Sequence, residues 1–201
     1  YRRMLAAATR SPEGFEADTR GQAILEKLNR FVTESAFVGE DEAKADFDVD
    51  IAVRPVYPIA LRMPGFFKKV NPLWPPYLLR DCARIAEMNG IPFAWPSPDP
   101  IVQDFANMEI AAEQPYIHRL TRLGVAANRR GRGLAFIDEV SRLTFGGVKG
   151  WHEGEHLVQA ATRAGLDLAV LDAAITADPA GHEAEIEGNE AAQKAAGHWG
   201  V

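Results

Sequence analysis

The feature that most constrains the fold of this chain is a series of helical periods in its second half, separated by glycines and one Asp-Pro pair. Apolar residues recur three and four positions apart, the spacing that places them on one face of an α-helix. The breaks fall at Gly131 with Gly133, Gly146-Gly147, Gly165 and Asp178-Pro179. The pattern predicts helices over 101–113, 115–129, 134–145, 155–164, 168–177 and 179–197. Asp167 and Asp178 are predicted to cap the last two of these.

The first half of the chain predicts an α/β arrangement. Residues 22–37 and 77–88 each show the helical period, and Asn89-Gly90 ends the second helix. Residues 49–57 alternate between apolar and polar side chains, which predicts a strand that Pro55 and Pro58 terminate. One strand does not make a stable sheet, so its partners are expected outside this stretch. The predicted class is therefore α/β and dominated by helices.

Residues 63–81 form a proline-rich stretch that carries aromatic side chains and two adjacent lysines. Proline restricts its own φ and the conformation of the preceding residue, so a stiff loop is predicted. Lys68, Lys69, Asn71 and Trp74 could hold an anionic, peptide-like ligand through ammonium groups, an amide and an aromatic wall. Alternatively, Trp74 and the neighbouring phenylalanines simply pack beneath the loop. Both interpretations remain open at this point.

Composition excludes several classes of function. The 201 residues carry a net charge of −6, which argues against general binding to nucleic-acid phosphates. The only cysteine, Cys82, lies on the apolar face of a predicted helix and is interpreted as packing, so neither a disulfide nor a Cys-x-x-Cys centre forms within the chain. No apolar run is long enough to cross a membrane, and a cytoplasmic protein is expected. The chain ends suggest part of a longer polypeptide.

One further motif is a weak candidate for chemistry. His152 and His156 are four residues apart, the spacing of two metal ligands on one helix face, but Gly154 lies between them. The better interpretation is an acidic approach to a helix N-terminus. No Gly-x-Ser-x-Gly sequence is present, so a hydrolase with a nucleophile elbow has no support.

The order of short motifs suggests a family. Strand, Arg-Pro-Val, the proline-rich loop with Asn-Pro-Leu-Trp-Pro-Pro, a helix, Gly-Ile-Pro-Phe and a helical block ending in Gly-His-Trp-Gly-Val follow one another over 49–201. This order resembles the 2-hydroxychromene-2-carboxylate isomerase family, which is also called kappa-class glutathione transferase-like and has the DsbA-type thioredoxin fold. The resemblance implies an amino-terminal thioredoxin-like part over 1–76, an inserted all-helical subdomain over 77–197 and a return to the thioredoxin part at 198–201.

The resemblance also implies a cofactor and its site. Glutathione would lie where the two parts join, lined by Lys68, Lys69 and Asn71 with Trp74 and Pro75 nearby. Val201 would precede the family's cis-proline, and its backbone would pair with the cysteine of glutathione. Ser11, which matches the family motif at Ser-Pro, would be the hydroxyl that stabilises the glutathione thiolate, a charge-stabilising rather than a redox arrangement.

Three functions follow in order of support. The first is a glutathione-dependent isomerase or transferase acting on a small, aromatic organic substrate, with a homodimer as a plausible assembly. The second is a non-catalytic helical binding or assembly module on the same scaffold, which the Ala-rich, non-strand sequence before Ser11 favours. A thiol–disulfide oxidoreductase ranks last because the chain has one cysteine.

Overall fold

The structure, a computed structural model, describes residues 51–104 and 106–197. The described residues from Ala52 onward belong to one compact unit, which is dominated by helices. Its helices are α1 (Ile59–Arg62), α2 (Phe66–Lys69), α3 (Trp74–Met88), α4 (Ile117–Asn128), α5 (Gly133–Phe145), α6 (His156–Arg163), α7 (Leu168–Ala177) and α8 (Pro179–Ala195). Strands β1 (Gln103–Asp104) and β2 (Glu109–Ile110) form an antiparallel pair.

Helix α4 is the centre of the bundle formed by α4 to α8. It packs against α5, α7 and α8, while α6 packs against α5 and α7. Leu123, Val125, Ala126 and Ala127 of α4 are fully buried. The small side chains among them let neighbouring helices approach α4 closely. This close approach is needed because protein cores are packed as densely as crystals of small organic molecules. The core continues through Phe136 of α5 to residues of α6 and α7.

The predicted helices from residue 115 onward are confirmed with small changes at their ends. The predicted caps of the last two helices are also confirmed. The Asp167 carboxylate accepts hydrogen bonds from the backbone N–H groups of Ala169 and Val170, and the Asp178 carboxylate accepts one from Gly181. These bonds satisfy amides that have no partner inside the helix, and Pro179 in the first turn has no N–H to satisfy.

The predicted helix over 101–113 is wrong, because this segment forms the β1–β2 hairpin. Asp104 accepts hydrogen bonds from Ala106 N and the Asn107 side chain, which stabilises the turn. The Gln114 side chain accepts a hydrogen bond from Val102 N and donates one to Val102 O. Side chains that bond to the backbone in this way offer it an alternative to the helix. The block after residue 77 is therefore not all-helical.

The predicted strand over 49–57 is also wrong in its described part, where residues 51–58 are extended but pair with no described strand. Two of their hydrogen bonds go to α8 instead. Asn189 Nδ2 donates to Pro55 O at 3.0 Å, and the Tyr57 hydroxyl donates to Glu183 Oε1 at 2.7 Å. Pro55 and Pro58 lack the N–H groups that a sheet ladder needs. This extended segment, residues 52–57, lies against the bundle.

The predicted loop over 63–81 is largely helical. Residues 66–69 form α2, and α3 begins at Trp74, three residues earlier than the sequence pattern indicates. Pro75 and Pro76 fall in the first turn of α3, where a missing N–H costs no helical hydrogen bond. In the described part of the chain, no helix combines the length and apolarity needed to cross a bilayer.

Candidate functional site

A cavity of about 340 Å³ lies between the extended segment, α4 and α5. Pro55 and Val56 form one side of it, and Pro100 closes another. The α4 residues that line it follow the helical spacing, and they are Ile117, Leu120, Thr121 and Gly124. The α5 residues form two adjacent stripes along that helix, Phe136, Val140 and Thr144 in one and Ile137, Ser141 and Phe145 in the other. The volume falls in the range of small-molecule sites, about 300–1,000 Å³.

The two α5 stripes give the cavity a floor and a mouth. Phe136 and Thr144 are buried, whereas Ile137, Ser141 and Phe145 are exposed. The Phe145 ring is stacked against Phe93 with 6.2 Å between the ring centroids, and Phe145 O accepts a hydrogen bond from Ala94 N at 2.7 Å. The connector before the hairpin therefore holds an aromatic wall in place at the mouth.

Three hydroxyl groups are the polar side-chain groups of this lining. Thr121 Oγ1 donates to Ile117 O, and Thr144 Oγ1 donates to Val140 O, both at 2.9 Å. Such bonds to the preceding helical turn satisfy the two threonines. The Ser141 hydroxyl makes no hydrogen bond within residues 51–104 and 106–197, so it is the hydroxyl at the cavity that a ligand can engage.

A polar cluster fixes the extended segment behind the cavity wall. Glu183 of α8 accepts hydrogen bonds from the Tyr57 hydroxyl at 2.7 Å and from Arg122 Nε at 2.6 Å. Burial and the Glu183 carboxylate together raise the pKa of Tyr57 to about 12. Burial alone would raise the pKa of Glu183, but the hydrogen bonds from Tyr57 and Arg122 outweigh it and hold that pKa below its usual range. The cluster is therefore a charged anchor at neutral pH.

The residues expected to bind glutathione lie on the α2–α3 surface, which comprises residues 66–75. Lys68 Nζ is 3.2 Å from Glu109 Oε1 of β2, whereas Lys69 has no ion pair within the described residues. Asn71 Oδ1 accepts a hydrogen bond from Leu73 N at 3.0 Å, which leaves its amide N–H₂ without a partner in the same part of the chain. Lys69 and the Asn71 amide are thus side-chain donors of this surface that have no partner among the described residues.

The aromatic residues of the α2–α3 surface pack on one another. Phe67 is stacked on Trp74 with ring centroids 6.3 Å apart, and Phe66 meets both rings edge-on. Such pairs gain stability beyond their buried area. Trp74 therefore packs against its aromatic neighbours, and Pro75 lies in the first turn of α3. Their role in binding glutathione stays a prediction.

Two of the expected site residues lie outside the described part of the chain. Ser11, the expected thiolate-stabilising hydroxyl, and Val201, the expected partner of the glutathione backbone, both fall there. Their roles stay predictions.

The two histidines considered as metal ligands do not share a helix face, because α6 begins only at His156. His152 instead lies beside Tyr116, with 4.6 Å between the ring centroids, and against Trp151. Across residues 51–104 and 106–197, no three His, Cys, Asp or Glu side chains gather where they could hold a metal ion. Cys82 is half-buried on α3 as a free thiol.

Sequence patterns did not reveal the cavity. Its α4 and α5 residues follow the ordinary helical period, and Ser141 belongs to no motif. One pattern in the sequence does indicate such a cavity. The residues at 136, 137, 140, 141, 144 and 145 are all uncharged, and they form a helix face wider than one neighbouring helix covers. Comparison with known proteins finds no matching family model, no matching curated protein and no matching solved structure.

Proposed function

We propose that this chain is a glutathione-dependent isomerase or transferase that acts on a small aromatic substrate held in the cavity between α4 and α5. The observation that carries the proposal is the cavity itself, about 340 Å³ in volume and lined by apolar side chains with few polar groups. That combination is typical of sites for small organic molecules. A DsbA-type thioredoxin-like fold, a cytoplasmic location and a homodimer belong to the same proposal.

The α2–α3 surface supports the cofactor half of the proposal. Glutathione carries two carboxylates and two peptide groups, so it needs a cation and amide donors. Lys69 offers an ammonium group that no described acidic residue neutralises, and the Asn71 amide can donate to a carbonyl or carboxylate oxygen. When bound, glutathione would supply a thiolate nucleophile, with Ser11 as the hydroxyl that stabilises it. The chain would orient the substrate in the cavity.

The binding of glutathione is tested by titrating the protein with reduced glutathione in a calorimeter. Lys69→Ala is expected to weaken binding about tenfold, since a charge-assisted hydrogen bond is lost. Lys149→Ala, at another exposed lysine, is the matched control and should bind normally. Asn71→Asp keeps the oxygen that accepts from Leu73 N but removes the amide donor, so it should weaken binding without lowering the melting temperature. Wild-type protein that binds no glutathione would contradict the proposal.

The binding of the aromatic substrate in the cavity is tested with a substitution at the mouth of the cavity. Ile137→Trp should obstruct it and raise KM for an electrophilic aromatic substrate such as 1-chloro-2,4-dinitrobenzene, with the Kd for glutathione unchanged. Val158→Trp is the matched control, because Ile137 and Val158 are both 37% exposed and only Ile137 lines the cavity. Equal KM values for the two variants would show that the substrate binds elsewhere.

A second candidate, a non-catalytic binding or assembly module, is favoured by the surface of α3. Leu73 and Met88 at its two ends are 76% and 78% exposed, and Tyr77 between them is exposed as well. Large exposed apolar side chains that cluster on one element are typical of interaction sites. Sedimentation analysis and a glutathione titration of the wild type and of Met88→Lys together distinguish the two functions. A module should lose its assembly in the variant and bind no glutathione, whereas an enzyme should bind glutathione with the same affinity in both proteins.

A further inference from the structure

We propose that helix α3 pairs in antiparallel orientation with α3 of a second copy of this chain. The contact is made by the α3 stripe, which comprises Tyr77, Asp81, Arg84 and Met88. The inference rests on the proposed function, of which a homodimer is part. It adds which face of the protein meets the second copy and which side chains hold the two copies together.

The α3 stripe lies along one largely exposed face of the helix. Its members are four, three and four positions apart, the spacing of the contact residues in coiled coils. Tyr77 and Met88 are 61% and 78% exposed, Arg84 is exposed, and Asp81 is half-buried. The opposite side of α3 carries more buried residues, which are Leu78, Cys82 and Ala86. The stripe is therefore a helix face with contact spacing that the chain itself leaves largely open.

The charged residues on and beside the stripe have no ion pair inside the described part of the chain. Neither Asp81 nor Arg84 forms one within residues 51–104 and 106–197, and the same holds for Arg80 and Glu87, which flank the stripe. On α4, by contrast, three arginines have carboxylate partners on other helices, and they are Arg119, Arg122 and Arg129. Helix α3 therefore presents charges of both signs whose partners can come from a second molecule.

A two-fold axis through the middle of the stripe matches these residues to one another. In an antiparallel pair of helices, each residue faces the one that lies equally far on the other side of the axis. Asp81 then faces Arg84 of the second copy, and Tyr77 faces Met88, so that each contact forms twice. The first is an ion pair, and the second joins a thioether to an aromatic ring, which is a favourable contact.

The order of the charges favours a second copy in this orientation. Acidic and basic residues meet at both central positions only when the stripe is reversed against itself, whereas a parallel pair would bring Asp81 to Asp81 and Arg84 to Arg84. Like charges placed together are unfavourable. Arg80 and Glu87 lie on the same flank of the stripe and within one helical turn of facing positions, so they add a second kind of ion pair. A different partner protein would require no such symmetry.

The first experiment reverses one charge in each of two variants and measures dimerisation by sedimentation velocity at increasing protein concentration. Asp81→Arg brings arginines face to face and Arg84→Asp brings aspartates face to face, so each variant alone should dimerise at least about tenfold more weakly than the wild type. An equimolar mixture should recover the wild-type affinity, because the arginines of one variant then meet the aspartates of the other. Glu187→Arg, at an exposed position of α8, is the control and should dimerise normally.

Three results overturn the inference. They are a wild type that stays monomeric, a single variant that dimerises as tightly as the wild type, and a mixture that dimerises no better than its components. The glutathione titration is a separate measurement. A monomeric wild type that binds glutathione therefore removes the pairing of α3 and leaves the enzyme, whereas a dimer that binds no glutathione contradicts the proposed function instead.

The second experiment tests the antiparallel direction by cross-linking. Cys82→Ser first removes the free thiol of α3, and Tyr77→Cys and Met88→Cys are then made separately in that background. A disulfide requires two Cβ atoms about 4 Å apart. The mixture of the two variants should therefore form disulfide-linked dimers on mild oxidation, faster than either variant alone. A mixture that cross-links no faster than its components overturns the antiparallel pairing.

Discussion

Glu183 joins three parts of the molecule through one carboxylate. Tyr57 of the extended segment and Arg122 of α4 both donate hydrogen bonds to it, and Glu183 itself belongs to α8. Hydrogen bonds to a charged acceptor are stronger than those between neutral groups. The carboxylate is only partly exposed, so water screens it less than a surface ion pair. This one residue therefore helps to hold the cavity wall that Pro55 and Val56 form.

The lowered pKa of Glu183 predicts a defined dependence of stability on pH. Its contribution is fully present above the ordinary carboxyl pKa of 4.5 and is lost as the pH falls through the lower value of the folded state. Glu183→Gln should therefore reduce the free energy of unfolding by about 1 kcal/mol at pH 7. Urea titrations at pH 7 and pH 3 measure the difference, which should shrink in acid. Glu187→Gln, at an exposed position of α8, is the control. A difference that does not depend on pH would contradict the role of the carboxylate.

Two buried glycines are expected to change the stability in opposite directions when each is replaced by alanine. A Cβ at Gly124 would meet Pro55 at 3.5 Å, an ordinary contact, while one at Gly133 would lie 2.6 Å from Asn128 Oδ1 and 3.1 Å from Asn128 Cα. Gly124→Ala should raise the free energy of unfolding by about 0.5–1 kcal/mol, because alanine favours the helix. Gly133→Ala should lower it, since the Asn128 backbone cannot move aside freely. Melting temperatures of the two variants check the signs. A destabilised Gly124→Ala would show that the extended segment packs more tightly on α4.

Helices α7 and α8 both have an aspartate as the N-cap residue. In α8 the Asp178 carboxylate has a second role, because Arg129 at the end of α4 donates to it as well as to Glu185. In α7 the Asp167 carboxylate bonds only to the two amides of its own first turn among the described residues. Asp167 therefore offers a test of the cap alone, without an ion pair between helices.

Replacing Asp167 should reduce the free energy of unfolding by the contribution of one N-cap. Asp167→Ala leaves two amides without their acceptor and should reduce the free energy of unfolding by about 1 kcal/mol. Asp167→Asn keeps a side-chain oxygen in the same place and should be close to wild type, because asparagine is an equally good N-cap. Chemical denaturation of both variants measures the effect. Equal losses in the two would mean that the charge near the helix dipole matters more than the hydrogen bonds.

Over the whole molecule, the sequence predicted those elements whose decisive interactions are local. The helices from α4 to α8 follow from apolar periods, glycine breaks and the caps Asp167 and Asp178, all within a few residues of one another. The hairpin and the extended segment did not follow, because side chains farther along the chain supply some of their hydrogen bonds. Gln114 reaches back to Val102, and Asn189 reaches Pro55 from the far end of the chain. The cavity did not follow for the same reason, because its walls come from segments that are distant in the sequence. Lys69 and Asn71 could be proposed from the sequence because they belong to one continuous segment, and their role stays a prediction.

The contact between Asn189 and Pro55 predicts that stability and ligand binding change together. Asn189 is buried, and its Nδ2 donates to Pro55 O at 3.0 Å, next to the cavity wall. Asn189→Ala leaves a buried carbonyl without its donor and should reduce the free energy of unfolding by about 1–3 kcal/mol. KM for 1-chloro-2,4-dinitrobenzene should also rise, because Pro55 lines the cavity and is no longer held by this hydrogen bond. Glu187→Ala, on an exposed face of α8, is the control for both measurements. An unchanged KM in a destabilised Asn189→Ala would contradict the prediction that this contact holds the cavity wall.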